Sequence, residues 1–170
     1  FLDGSFGSRT AALDEPYSDD PGNDGVQHFN DRELRDIIAS WTPLGWRAAL
    51  HAIGYRAVAQ ACRVLAASPR PAGGRHRIEH CQLLPRGGVA ALRSSGAVLS
   101  FQPVHLLDDG SWLPDLIGPG RCRYAFVWRS CLKEGIPAAL GSDWPVASPD
   151  PLLGIHAAIN RCGFDGAVNP

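Results

Sequence analysis

The sequence predicts an α/β domain built on a parallel sheet. Two observations carry that expectation. Four short apolar strand candidates recur along the chain, each followed by a segment with helical spacing, and metal-ligand residue types stand at the carboxyl ends of three of the four. Parallel sheets carry their chemistry at those ends, in open sheets and barrels alike. A chain of 170 residues, 45% hydrophobic and 19% charged, has globular composition and the length of one domain.

Phe1-Leu2-Asp3 reads as the end of a strand, and the chain contains no methionine, so the sequence is expected to be a piece of a longer polypeptide. Residues 14–30, DEPYSDDPGNDGVQHFN, are rich in Asp, Pro, Gly and Asn and predict a long loop. Loops of that length inside a domain usually serve function. Asn30 with Glu33 forms a capping box for the helix DRELRDIIASW. GWRAALHA, 45–52, is the first strand, and Val58, Ala61, Cys62 and Leu65 recur at helical spacing across 55–68. RHRIEH, 75–80, is the second, followed by PRGGVAALRSSG as a short helix that Gly96 ends. AVLSFQ, 97–102, is the third, before a long loop over 103–120 that carries Trp112 and a helix around RYAFVWRSCLKEG. IPAALGSD, 136–143, is the fourth; Asp150 and Pro151 then supply an N-cap and a first-turn proline for LLGIHAAINR.

The four strands end on His51, His80, Gln102 and Asp143. Residues two apart share a face, so Ala49 lies under His51, and Ala139 and Gly141 under Asp143. Small residues there leave room for an ion or a substrate. Leu50 and Leu140 are expected to point the other way, onto covering helices. Glu79 alternates with His80 and is expected on the opposite face as a structural ion-pair or hydrogen-bond partner, with His76 as a core histidine. Two imidazoles and one carboxylate from different strands suit a zinc-like ion with open positions. Such an ion lowers the pKa of water towards about 7, and a neighbouring carboxylate, here Asp143, takes the proton and delivers it to a leaving group. Each residue alone also has a plain structural reading, since a strand-end histidine is commonly just hydrogen-bonded. Gln102, His105, Trp112 and Arg121 are weaker candidates for substrate contact, and His28 and His156 carry no functional expectation.

A net charge of −1 offers no basic field to nucleic acid or anionic lipid, so a small-molecule ligand is expected. No apolar run approaches the roughly 18 residues of a membrane span and no signal segment opens the sequence, which predicts a soluble protein. Cys62, Cys81, Cys122, Cys131 and Cys162 are odd in number and form no C-x-x-C pair, against a disulfide framework or a cysteine zinc site and in favour of a reducing cytoplasm. The motifs G-x-S-x-G, G-x-G-x-x-G, H-E-x-x-H and the P-loop are absent, leaving nucleotide-binding and serine-hydrolase readings without residues.

In order and spacing, DGSFGSRTAAL, LHAIGYRAV, RIEHCQLL, SFQPVHLLDD, GSDWPV and DPLLGIHAAINR resemble the amidohydrolase family 3 branch of the metal-dependent amidohydrolases, the YtcJ-like proteins related to N-substituted formamide deformylase. The resemblance runs along essentially the whole chain. It implies the C-terminal half of a TIM-type (β/α)8 metallo-dependent hydrolase barrel, with 1–170 one partial barrel domain spanning about strands 5 to 8 after the loop 1–30. An upstream barrel half and a β-sandwich would then lie outside it. It further implies His51, His80 and Asp143 as metal ligands at the ends of strands 5, 6 and 8, Asp143 also as the catalytic proton shuttle, and one or two divalent ions, with zinc the expected metal. The reaction implied is hydrolysis, by metal-activated water, of a carbon–nitrogen bond other than a peptide bond in a small amide, formamide or cyclic amide.

Departures from the family pattern are specific. Its H-x-H pair of strand 1 and its strand-4 lysine have no counterpart here, and Lys133 on a late helix does not replace the lysine. Tyr55 stands where the family has aspartate in HAIGD; an aspartate there would cap the helix and position the loop beside His51, and loss of such a residue commonly costs about tenfold or more in metal affinity or activity, so reduced or altered activity is expected. Two other readings stand beside the enzyme: a non-catalytic truncated remnant of one, and an α/β binding module using the loops 14–30 and 103–120. A half barrel on its own exposes sheet edges and an apolar face, so a homo-oligomer is also expected.

Overall fold

All four strand candidates form, each shorter than its apolar run: β1 Ala49–Ala52, β2 Arg77–His80, β3 Val98–Phe101 and β4 Ala138–Leu140. In this computed structural model, which describes residues 1–161, they pair in parallel in the order β1-β2-β3-β4. A parallel sheet whose strand order follows the chain has the order of a barrel sector; a doubly wound sheet reverses its order partway.

The register sorts the side chains into two faces. Leu50, Ile78, Leu99 and Ala138 align across the sheet, as do His51, Glu79, Ser100 and Ala139 one residue on. Leu50, Ile78 and Leu99 are buried with Val58, Ala61, Cys62 and Leu65 of α2 (Tyr55–Ala66) and Leu92 of α3 (Gly88–Ser95). The other face is small or polar, and Ala49, Arg77 and Ala139 on it are exposed. Parallel sheets are normally covered on both faces; among the described residues only one face is.

The remaining helices are α1 (Asp31–Trp41), α4 (Leu106–Ile117), α5 (Pro119–Cys122), α6 (Trp128–Lys133) and α7 (Pro151–Asn160). The Asn30 side chain accepts from Arg32 and Glu33 N–H while Glu33 accepts from Asn30 N–H, the complete capping box. Asp150 caps α7 through Leu152 N–H with Pro151 in the first turn. No helix among the described residues is long and apolar enough to cross a membrane. Cys62, Cys81, Cys122 and Cys131 are free and buried, and burial pushes the Cys62 thiol up to about 12; Cys162 lies outside the described residues.

Three expectations need correction. The segment 103–120 is no loop: α4 occupies most of it, with Leu106, Leu107, Gly110, Leu113, Leu116 and Ile117 buried at helical spacing despite Pro114. The helix at 123–135 begins only at Trp128, because Leu84 N–H donates to Tyr124 and Phe126 N–H to Gln82, an antiparallel bridge that removes those residues from helical bonding. Leu140 is 55% exposed. The helix α7 packs its Ala157 beside Val104 and Leu107 and leaves the end of β4 uncovered.

The long segment before α1 is an ordered cap. Leu2 N–H donates to His51 C=O, as a neighbouring strand would, and His28 N–H donates to Leu2 C=O. Tyr17 is buried, with its hydroxyl donating to Ala11 C=O, and Arg56 pairs with Asp24 at 3.0 Å.

Candidate functional site

At the carboxyl ends of the strands, where backbone groups leave the ladder and side chains are released from the pleat, a cavity of about 810 Å³ opens. His51, His80, His105 and Asp143 all line it. His51 reaches it from the face it shares with Ala49, as alternation requires.

His80 reaches it by a different route. Strand alternation directs it with Ile78 onto the helices, yet it lines the cavity together with His51 and Glu79. The cause is a left-handed turn: His80 and Cys81 have φ of 67° and 50°, a region uncommon for residues with a Cβ. Glu79 therefore shares the cavity with His80, where the opposite face was expected, and it pairs with Arg77. Asp143 stands beyond the last paired residue of β4 and is also left-handed, with φ 60°. Backbone strain of this kind concentrates at functional sites, where the surrounding fold maintains it.

The side chains meet in pairs. The rings of His51 and His80 lie 4.6 Å apart between centroids, those of His80 and His105 5.8 Å, and His80 Nε2 is 4.0 Å from Asp143 Oδ2. Burial lowers the His80 pKa to about 4, with His51 and His105 adding to the effect, so its ring is neutral at pH 7 and its lone pair is free. Burial also lowers His105, against the opposing pull of Asp143 and the Ser142 backbone. Asp109, hydrogen-bonded by Gln82 Nε2 at 3.0 Å, lies in the same cavity with its pKa raised to about 7 by burial.

Buried His80 Nδ1 and His105 Nε2 have no hydrogen-bond partner, while His51 turns its Nδ1 edge to Asp3 at 3.4 Å. Unpaired ring nitrogens are costly inside a protein, and imidazole nitrogens beside a carboxylate are the donor set a borderline cation such as zinc takes. The donor chemistry therefore fits a divalent ion. The number is short: among the described residues no group of three or more His, Cys, Asp or Glu comes together closely enough to hold one.

The weaker candidates separate. His105 and Trp112 line the cavity. Gln102 does not; it is buried, with Nε2 3.4 Å from Ser100 Oγ. Arg121 is also elsewhere: its guanidinium donates to the carbonyls of Glu15 and Pro16 at 2.9 and 2.8 Å, and to Ile117, clamping the N-terminal cap onto the end of α4. His76 is a core residue, with Ala48 N–H donating to its Nδ1 at 3.0 Å and Nε2 2.9 Å from Pro69 C=O.

Asp3 escaped the sequence reading. Its carboxylate, 1% exposed, accepts from the N–H groups of Ala12, Ile53 and Gly54. From the N-terminal cap it ties down the turn beside His51, one of the two tasks expected of position 55. Gly54 is the N-cap of α2 with no side-chain bond, and Arg56 N–H donates to Ala12 C=O at 2.8 Å. One first-turn donor of α2 is thus satisfied with tyrosine at 55. Nothing in the local pattern of DGS marks Asp3 for this role, since the contact joins residues far apart in sequence.

A family model described as "Amidohydrolase family" matches residues 1–167. Over 162 residues the chain is 38% identical to the amidohydrolase-family protein YtcJ of Bacillus subtilis (strain 168), covering 95% of this chain and 30% of that one. It is 35% identical over 165 residues to the protein LONG AFTER FAR-RED 3 of Arabidopsis thaliana, covering 95% and 28%. Crystal structures of uncharacterized metal-dependent hydrolases superpose with TM-scores of 0.83 for Pyrococcus horikoshii OT3, at 34% identity, and 0.85 for Pyrococcus furiosus, at 32%. They cover 95% and 100% of this chain but 32% and 35% of their own. The chain spans about a third of the length of these relatives.

Proposed function

The chain belongs to the amidohydrolase family, and from that premise we propose that it carries the carboxyl-terminal part of the active site of a metal-dependent hydrolase that cleaves a carbon–nitrogen bond, other than a peptide bond, in a small amide, formamide or cyclic amide. One observation carries the reading: His51, His80 and Asp143, drawn from three strands, face a single cavity at the sheet's carboxyl end.

His51 and His80 would hold a divalent ion together with Asp143, and the donor set favours zinc. When bound, the ion supplies Lewis acidity that activates water and polarises the scissile carbonyl. Asp143 moves the proton: its side chain is 41% exposed beside His80, so it takes a proton from the attacking water and delivers it to the departing nitrogen. The neutral His80 is ready to donate its lone pair without first losing a proton. Trp112 and His105 form the wall against which the substrate rests.

The same premise accounts for the open face of the sheet. Leu2 bonds to His51 as an adjacent strand would, and Ala49, Arg77 and Ala139 lie exposed on that face. We assign residues 1–170 to the second half of an eight-stranded barrel whose first half covers that face and completes the ligand set.

A second reading, a binding or remnant domain without turnover, draws on the pairwise character of the ligand contacts. The test uses the protein at its natural length: metal content, then hydrolysis of a panel of N-substituted formamides, amides and cyclic amides before and after chelation. Hydrolysis that chelation stops and zinc restores is the expected result. Stoichiometric metal without turnover of any panel member favours a binding domain, and no metal uptake at all favours the remnant.

A further inference from the structure

The His51 ring is boxed on several sides. Phe1 lies tilted against it and His80 edge-on, with ring centroids at 4.7 and 4.6 Å, and its Nδ1 edge faces Asp3 Oδ1 at 3.4 Å. That separation lies within ion-pair range, while the ring nitrogen makes no aligned hydrogen bond. Asp3 divides its two oxygens with purpose. Oδ1 accepts Ile53 N–H at 3.0 Å beside the His51 ring, and Oδ2 accepts Gly54 N–H at 2.7 Å and Ala12 N–H at 3.0 Å. The two residues that leave β1 immediately after His51 and Ala52 are therefore tied to the carboxylate that faces the ring's Nδ1 edge.

We propose that Asp3 is the positioning residue of His51, fixing both the turn out of β1 and the ring's orientation toward the cavity. This rests on the reading of His51 as a metal ligand. Side chains that orient metal ligands typically control affinity by about tenfold to a hundredfold. With Tyr55 at the start of α2, the carboxylate beside this turn comes from the N-terminal cap.

The experiment measures zinc affinity, kcat, KM and thermal melting of the natural-length protein in four forms: wild type, Asp3→Asn, Tyr17→Phe and His51→Asn. Tyr17→Phe loosens the same cap by removing the hydroxyl bond to Ala11 without touching His51, and serves as the control for general loosening. The expected result is that Asp3→Asn weakens zinc binding by about tenfold or more and lowers kcat with KM little changed, while Tyr17→Phe lowers the melting temperature only. Equal effects of Asp3→Asn and Tyr17→Phe on zinc affinity, or none from either, overturn the inference. If His51→Asn binds zinc like wild type, the metal reading itself has failed; if it loses zinc while Asp3→Asn keeps it, only the positioning role has failed. Should Asp3→Asn not fold, Asp3→Ser, which retains one acceptor for the turn, is read against the same outcomes.

Discussion

His80 Nε2 stands 4.0 Å from Asp143 Oδ2, and both residues hold left-handed backbone conformations, with φ of 67° and 60°. Two separate strand ends are bent to bring one imidazole and one carboxylate to the same mouth. Asp143→Asn is the sharpest test of what the carboxylate does there, because asparagine also tolerates the left-handed region and removes only the ionisable oxygen. Turnover should drop by about 100-fold or more, the scale of general acid–base catalysis, with the melting temperature unchanged since the side chain is 41% exposed. Turnover within twofold of wild type would remove Asp143 from the reaction.

Gly54 is where the N-terminal cap meets the active-site turn. A Cβ at this position would lie 2.3 Å from Ala12 O and 2.5 Å from Ala12 N. Both are backbone atoms, held by Arg56 N–H donating to Ala12 C=O and Ala12 N–H donating to Asp3, so no flexible side chain can yield. The φ of −77° is ordinary, which makes the obstacle contact alone. Gly54→Ala should cost about 1–3 kcal/mol or more in chemical denaturation and reduce turnover by displacing the residues after His51. Wild-type stability would show that the cap does not press on α2.

Much of this arrangement was legible in the chain. The ligand candidates could be found because a parallel strand announces its carboxyl end through the breakers after it, as in Gly141-Ser142-Asp143. The capping residues Asn30 and Asp150 act through neighbours within a turn, so local pattern suffices for them. What stayed hidden depends on other things. Strict period-two alternation misdirected Glu79 because a left-handed turn at His80 leaves no mark in residue type. Gly110 and Pro114 concealed α4, whose buried leucines outweigh two helix-disfavouring residues. Asp3 and Arg121 act across the fold, through contacts no window of sequence contains.

Arg121 supplies a test of that last point. It donates to two carbonyls of the N-terminal cap and to the end of α4, and it does not line the cavity. Arg121→Ala should therefore lower stability by about 1–3 kcal/mol, the range for hydrogen bonds from a charged donor, and leave KM for any turned-over amide unchanged. Denaturation curves and steady-state kinetics on the same preparation separate the outcomes. A raised KM with unchanged stability would return the residue to the substrate site.

Asp109 gives a signed dependence on pH. Burial raises its pKa to about 7, with the Gln82 hydrogen bond partly opposing, whereas an aspartate in an unfolded chain titrates near 3.9. Below about pH 4 the group is neutral in both states and costs nothing. As pH rises from there to about 7 the unfolded chain releases its proton while the folded protein keeps it, so stability falls; above that range the loss is complete. Keeping the proton across that window makes the penalty at pH 8 on the order of 2–4 kcal/mol. Asparagine has no proton to lose, and its amide oxygen still accepts from Gln82 Nε2. Metal-free Asp109→Asn protein should thus melt with wild type at pH 4 and above it at pH 8. His80 titrates alike in both proteins, so the difference isolates Asp109. A gain of equal size at both pH values, or a loss at pH 8, would mean that the carboxyl ionises in the fold without penalty and that this wall of the cavity is open to water.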